Sequence, residues 1–593
     1  MSFELKSPFE YTSPEAIPAK DVIDLFVPVF GEYHNVPNVG HTFINGPRGC
    51  GKSMMFRYMR PDCQCLAQSK KISELDYFAI HIPVKEGQLD KTDLKLLANK
   101  HGEALLNEHF MVVNFAIKIF EELGDTEFEN TRENSEALKS FYDDSFLKLL
   151  KYARWDSPCQ LPSGLTDCKS IFYHAKEICS SIYRDFTENF IYKLVGSEGP
   201  LPYNGAICLF NDFLLPILTK IRDLPFMPPG PIYLLIDDAD NLNKFQTKIL
   251  NTWVSLRTSK YVSFKISTQL NYKTYRTIND MRIDTPHDYS EINISDIYTA
   301  KKSLYKERIK EAVERRLHKF GYKDISAEEF FPEDEEQEKK IKTLFNKYQR
   351  KREGKDGYDY AYRYARPDFM KSLKGNLNTF SYAGFNSLVH ISSGIMRHFI
   401  DFANRMYTSQ MAIPEKENLK YLDPGIQDHE IKEYSNWFFD ENFSKLREDM
   451  ENSEEEINDF DKLRNLIEAL GQTFHLILFS NATERRVFSF ALQNEPDTEL
   501  RKILNLGVQN GYFQKSLIGN KMGTGKARLY ILNRLLAPYF KLDPTSFAGY
   551  KFVTCEVLKE ALHKPSTVVG RIKKDGVDSV FENPQRSLFR DDA

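Results

Sequence analysis

The stretch Gly46-Pro47-Arg48-Gly49-Cys50-Gly51-Lys52-Ser53 constrains this chain more than any other. Its closely spaced glycines predict a turn that residues with side chains enter only under strain. The run His41-Thr42-Phe43-Ile44-Asn45 before it reads as a short buried strand. Met54-Met55-Phe56-Arg57-Tyr58-Met59 after it reads as the start of a helix. In a strand–turn–helix setting, successive backbone N–H groups converge on one point, and the positive end of the helix faces it. Such a point binds phosphate. Lys52 adds a charge suited to β- and γ-phosphates, and the Ser53 hydroxyl can ligate Mg2+. A second glycine-rich stretch, from Gly519 to Ala527, has different glycine spacing and ends without a hydroxyl, so it reads as a hairpin turn.

A metal held by phosphate and hydroxyl also needs an acid on a neighbouring strand. Ile232-Tyr233-Leu234-Leu235-Ile236 is an unbroken apolar run that fits a strand buried on both faces, and Asp237-Asp238 follows it. Asp237 then emerges at the carboxyl end of the strand, where open α/β sheets bind ligands. It is the candidate metal-linked carboxylate, and Asp238 is the candidate group that polarises an attacking water. Val262–Gln269 reads as a further strand. Thr268 or Gln269 at its tip either senses a γ-phosphate or simply ends the strand in a turn. Downstream, Ile395, Phe399 and Phe402 fall at helical spacing, and Arg397 leaves that helix near its start. From a lid over the sheet, such an arginine can reach a γ-phosphate.

Composition excludes several classes. Apolar residues make up 41% and aromatic residues 13%, which rules out wholesale disorder, collagen and low-complexity fibre. The 593 residues predict about four domains at roughly 150 residues each. Net charge is −4, so nucleic-acid contact needs a local basic patch. Eight cysteines are too sparse for a disulfide scaffold, and none has zinc-finger spacing. No run approaches the ~18 apolar residues of a membrane span, and the N-terminus lacks a basic segment followed by an apolar one. The expectation is a soluble, cytoplasmic protein.

The order of these pieces resembles the AAA+ superfamily over roughly residues 20–560. It is most similar to the origin-recognition-complex/Cdc-type and STAND branches, in particular the bacterial origin-recognition-like ATPases of antiviral defence clusters. Gly46–Ser53 matches Walker A, Ile232–Asp238 matches Walker B, Thr268 or Gln269 falls at sensor one, and Gly394-Ile395-Met396-Arg397 matches sensor two. Ala527–Pro538 looks like the end of the bacterial members. The resemblance implies ATP and Mg2+ as cofactors. Gly46, Pro47, Arg48, Gly49, Cys50, Gly51, Lys52, Ser53 and Met54 would hold the nucleotide. Ser53 and Asp237 would hold the metal, and Asp238, Thr268, Gln269 and Arg397 would serve hydrolysis. Asp237-Asp238 replaces the usual Asp-Glu of active AAA+ motors and resembles STAND switches, which implies slow turnover. Arg276 or Arg282 is either a trans-acting arginine finger or a solvated surface arginine.

The implied fold class is an α/β P-loop core with a parallel sheet, a helical insertion, a helical lid and a C-terminal winged-helix domain. The expected boundaries are a base over 1–300 with the insertion at about 90–225, and a lid over 301–410. A helical, acidic linker over 411–459, a winged helix over 460–575 and a loose tail over 576–593 follow. The implied function is a nucleotide-controlled regulatory ATPase in bacterial anti-phage defence, with a separate effector and no membrane association; homo-oligomerisation stays open. The other reading is a DNA-binding initiator or loader that grips duplex through Lys515, Lys521, Lys526 and Arg528.

Overall fold

The computed structural model describes residues 7–577 except 11–12, 29–32, 85–99, 163, 192–202, 257, 259, 270–271, 295–303, 352–353, 374, 414–418, 449–456, 483, 520–525 and 546–548. The chain packs as two units. One comprises Thr12–Gly46 and Gly51–Ile294, and the other Met1–Tyr11, Pro47–Cys50 and Ser295–Ala593.

The N-terminal unit is built on five parallel strands: β1 (Thr42–Asn45), β2 (Phe78–Pro83), β3 (Ile232–Asp237), β4 (Val262–Thr268) and β5 (Ser290–Asn293). Their order is β2-β3-β4-β1-β5. Parallel neighbours need long crossovers, and here these are helical. β3 and β4 are buried at every position, as the apolar run in β3 predicts. β2 lies at the sheet edge, where Pro83 can end it with little loss of pairing. The crossover from β2 to β3 includes the helices Lys100–Asp125, Arg132–Phe141, Cys168–Phe186 and Leu215–Arg222. Phe110, Phe115 and Phe120 of the first and Phe172 of the third share one apolar cluster with Phe78, Ile232 and Phe264 of the strands. The segment expected as an insertion therefore completes the core of the sheet.

Lys265 interrupts the apolar pattern of β4. It is fully buried, and its ammonium donates to the carbonyls of Asn38 (2.6 Å) and Gly40 (2.8 Å) and to Thr42 Oγ1 (3.2 Å). The Tyr233 ring lies 4.6 Å below it. Burial pushes its pKa down to about 7, whereas three acceptors favour the charged form. The side chain pins the loop that feeds β1, and so sets where the glycine turn begins.

The second unit contains the helices Tyr305–Lys319, Glu335–Gln349, Gly354–Ser372, Met396–Met411 and Pro424–Phe439. Glu335–Gln349 is densely charged, with Lys339 on Glu335 at 2.9 Å and Ile341 buried on the opposite face. A second sheet has the order β7-β8-β6-β9, from β6 (Val487–Leu492), β7 (Phe513–Gly519), β8 (Lys526–Leu532) and β9 (Gly549–Val553). β7 and β8 form the expected antiparallel hairpin. Its turn, with Lys521, lies outside the described residues, as does nearly all of the expected tail. β6 and β9 are additions to the sequence reading and pair in parallel with each other. The helices Asp459–Phe479 and Thr498–Gln509 bury Leu463, Leu466, Ile467, Leu500, Ile503 and Leu504.

One buried ionic cluster ties this unit together. Asp543 is fully enclosed, 3.4 Å from Arg486 Nη1 and 3.7 Å from Arg366 Nε, and it accepts from the Thr545 hydroxyl at 2.7 Å. Burial alone would raise its pKa, but the Arg486 and Arg366 guanidiniums overcome this and hold the carboxyl below its usual range. Arg486 also lies 4.2 Å over the Tyr362 ring. The helix Gly354–Ser372 is thereby fastened to the segment entering β6.

Candidate functional site

The glycine turn follows β1 directly. Gly49 (φ 85°) and Gly51 (φ 102°) occupy left-handed backbone, the conformation that glycine alone enters without penalty. Gly51 caps the helix Lys52–Met59. The Gly46 amide donates to the Thr268 carbonyl at 3.2 Å, which fixes the turn to the end of β4. Lys52 is buried, and its ammonium reaches back to the Gly46 carbonyl at 2.8 Å. Arg48 is exposed, Pro47 and Met54 are half-buried, and Cys50 is buried.

Asp237 ends β3 with 4% of its surface exposed. Its carboxylate accepts from the Ser267 hydroxyl and from the Asp238 amide (3.1 Å), and the Ser53 hydroxyl bonds to it as well. His81 Nε2 stands 3.5 Å from Asp237 Oδ2. Burial would raise the Asp237 pKa; His81, Ser267 and Ser53 together outweigh it and hold the carboxyl below its ordinary value. Oxygen donors from Ser53 and an anionic Asp237 are of the hard-ligand type that suits Mg2+.

The neighbouring candidates separate by geometry. Asp238 adopts left-handed backbone (φ 56°), and its amide donates to Ser267 Oγ at 2.9 Å. Its carboxylate accepts from the Gln269 side-chain amide at 2.8 Å, so these two candidates meet. The Gln269 backbone N–H in turn donates to the Asp240 carboxylate. Thr268 directs its hydroxyl to Asn45 Oδ1 at 2.6 Å, bracing β4 against β1. Arg276 and Arg282 are exposed on a surface turn, with Arg276 bonded to the Asp280 carbonyl at 2.7 Å and Arg282 at 3.4 Å from Asp284.

Arg397 lies in the first turn of Met396–Met411, and its amide donates to the Gly49 carbonyl at 3.0 Å. A Cβ on Gly49 would stand 2.6 Å from the Arg397 Cβ, so this approach requires glycine. The loop before Arg397 contains Ser393, a buried residue at φ 52°. Its hydroxyl accepts from the Arg534 amide at 2.6 Å, and its carbonyl accepts from the Gln514 side chain on β7. On the hairpin, Lys515 and Lys526 are exposed, whereas Arg528 pairs with Glu495 at 3.1 Å.

The strand order and the placement of the turn between β1 and its helix fit an AAA+ core. The ORC-CDC6-like family model matches residues 7–356 and 338–552. The chain belongs to the ORC-CDC6-like family. It is thus an AAA+ protein of a nucleotide-using ATPase family, and its second sheet falls within the family match. No curated protein matches this ORC-CDC6-like chain in sequence. Among its described residues no helix is long and apolar enough to cross a membrane. Around Asp237 of the ORC-CDC6-like site, sequence reasoning missed three side chains: His81, Ser267 and Glu15. The only signal was polarity out of pattern, such as the imidazole inside the otherwise apolar Phe78–Ile82.

Proposed function

We propose that the chain is an ATP-binding, slowly hydrolysing switch whose nucleotide state is read out by its C-terminal sheet. The observation that carries this reading is the bond between the Ser53 hydroxyl and the buried, anionic Asp237. Lys52 and the amides of the glycine turn bind the phosphates, and Ser53 with Asp237 holds Mg2+, which neutralises phosphate charge. Asp238, positioned by Gln269, accepts a proton from the water that attacks the γ-phosphorus as the bond to ADP breaks. Its short side chain is consistent with slow turnover. Arg397 senses the γ-phosphate, and the loop through Ser393 passes that state to β7 and β8, which belong to a winged helix. The output is a separate effector protein, in the setting of bacterial anti-phage defence in the cytoplasm, with nucleotide-dependent self-assembly as a further layer.

The test is equilibrium binding of a fluorescent ATP analogue in Mg2+. Wild type is expected to bind, and Lys52→Ala to weaken binding about tenfold to a hundredfold through loss of a charged hydrogen-bond donor. Equal affinity for the two proteins would refute the reading.

A second reading, a DNA-binding initiator or loader, draws support from Lys515 and Lys526 standing exposed on the hairpin. If they grip duplex, Lys515→Glu/Lys526→Glu lowers affinity for all sequences alike and flattens the salt dependence by about two counterions. An unchanged slope removes DNA as a ligand of this hairpin.

A further inference from the structure

The helix Gly354–Ser372 carries tyrosine at every second position from 358 to 364. Its core face is Ala361, Ala365 and Met370, all buried. Residues four apart share a helix face, so Tyr358 and Tyr362 stand one above the other, off that core face. They are 51% and 45% exposed, although rings of this size gain by burial. Their planes lie 10° from parallel with centroids 6.4 Å apart, and Phe345 of the helix Glu335–Gln349 meets the Tyr358 ring edge-on at 5.4 Å. Arg486, 4.2 Å over the Tyr362 ring, anchors this row. A second row has Tyr348 at 5.7 Å from Tyr360 and Tyr360 at 4.7 Å from Tyr364, with Arg485 4.7 Å over the last ring.

The charge around the rings is one-sided. Early in Glu335–Gln349, Lys339 and Lys340 pair with Glu335 at 2.9 Å and Glu336 at 3.6 Å. Past its far end Arg350 and Lys351 are exposed and meet no carboxylate among the described residues, and neither does the exposed Arg363 next to Tyr362. Lys351 lies instead 4.9 Å from the Tyr348 ring. Among the described residues from 342 to 364, five exposed bases stand against two exposed acids, Asp356 and Asp359.

Exposed rings beside cations without counterions are the two parts of a surface for single strands: the rings take the faces of unpaired bases, and the cations follow the phosphates. A duplex offers only its phosphates, because its base faces are already stacked. Of the two single strands, RNA presents unpaired loops and ends as it stands, whereas DNA must first be opened. Proline-rich peptides also dock on aromatic grooves, but a neutral polyproline backbone has no use for the surplus cations. We propose that Tyr358 and Tyr362, with Arg350, Lys351 and Arg363, form a docking surface for single-stranded RNA. It shares no residue with the glycine turn or with the β7–β8 hairpin.

Fluorescence anisotropy with a labelled uridine oligomer of about twelve nucleotides, within the range of single-strand site sizes, tests this on the full chain. Wild type is expected to bind it, and duplex RNA of the same length to compete poorly. Tyr358→Ala, at an exposed position, should weaken binding about fivefold to a hundredfold, the worth of one stacked base, and Tyr358→Phe should restore it. An oligomer of abasic ribose phosphates should bind both Tyr358→Ala and wild type weakly and alike, because it has no bases to stack. Arg363→Glu should weaken the uridine and abasic oligomers by the same factor, as loss of a phosphate contact does. Ultraviolet crosslinking in cells followed by nuclease digestion identifies the source, with ribonuclease expected to release the bound label. Equal affinity of wild type and Tyr358→Ala for the uridine oligomer, no recovery in Tyr358→Phe, equal competition by duplex, or label released by deoxyribonuclease alone would each overturn the proposal. So would a proline-rich peptide that binds through Tyr358 where the uridine oligomer does not.

Discussion

Asp237→Asn is expected to lower the rate of phosphate release from ATP by about 10²- to 10³-fold, the scale seen when one preorganised electrostatic group is removed from a reacting centre. The amide keeps the volume and can still accept from Ser267, so the fold of β3 should survive. What disappears is the anion that meets the Ser53 hydroxyl. Steady-state phosphate release at saturating ATP gives the comparison, and affinity for the ATP analogue in EDTA serves as the control. A loss of less than about threefold would remove Asp237 from the reaction. The same variant tests a linkage. The Asp237 pKa is lowered in the folded chain, so its contribution to stability is present above the ordinary carboxylate range. That contribution is lost as pH falls through the lowered value. Asp237→Asn should flatten this part of the acid limb.

The second large effect lies in the other unit. Asp543→Asn leaves Arg486 without its anion at a site where it is 4% exposed, while Arg366 keeps Glu338 at 2.9 Å. Breaking one side of a buried ion pair costs about 3–5 kcal/mol. Urea unfolding followed by circular dichroism should show the midpoint of the C-terminal unit moving to lower urea by a corresponding amount. Replacing both charges, as Arg486→Met with Asp543→Leu, should recover a good part of it, because a packed apolar pair leaves no unpaired ion. No recovery would mean that Tyr362 stacking or the Thr545 bond carries the cluster instead. The folded pKa of Asp543 is also lowered, so its stabilisation is lost as pH falls below the carboxylate range. The single variant should lack that loss.

The parts legible in the sequence were those whose physics is local. The strand–turn–helix around Gly46–Ser53 was readable because left-handed turns demand glycine at particular offsets. β3 was readable because a strand buried on both faces leaves an unbroken apolar run ending at its acidic tip. The hairpin β7–β8 was readable from its flanking patterns. Non-local pairings stayed hidden. β9 is only Gly549–Val553 with a buried Lys551 in it, and its partner β6 is distant in sequence. Thr268 and Gln269 looked equivalent as strand-tip residues. Only the register of β4 against β1 turns the first toward Asn45 and leaves the second to meet Asp238. His81 acquires its neighbour from the β2–β3 register and Glu15 from the path of the N-terminal segment, and neither is encoded in spacing.

Ser393 carries a consequence for how such proteins can diversify. Its carbonyl is claimed by Gln514 on β7 and its hydroxyl by Arg534 in the turn after β8, while the loop it shapes leads within four residues to the amide resting on Gly49. A foreign sheet exchanged into this position by recombination would have to bring an amide and a carboxamide to the same two atoms. Lineages that swap this module freely should therefore show a relaxed, glycine-like residue at 393, and those that retain serine there should inherit both halves together.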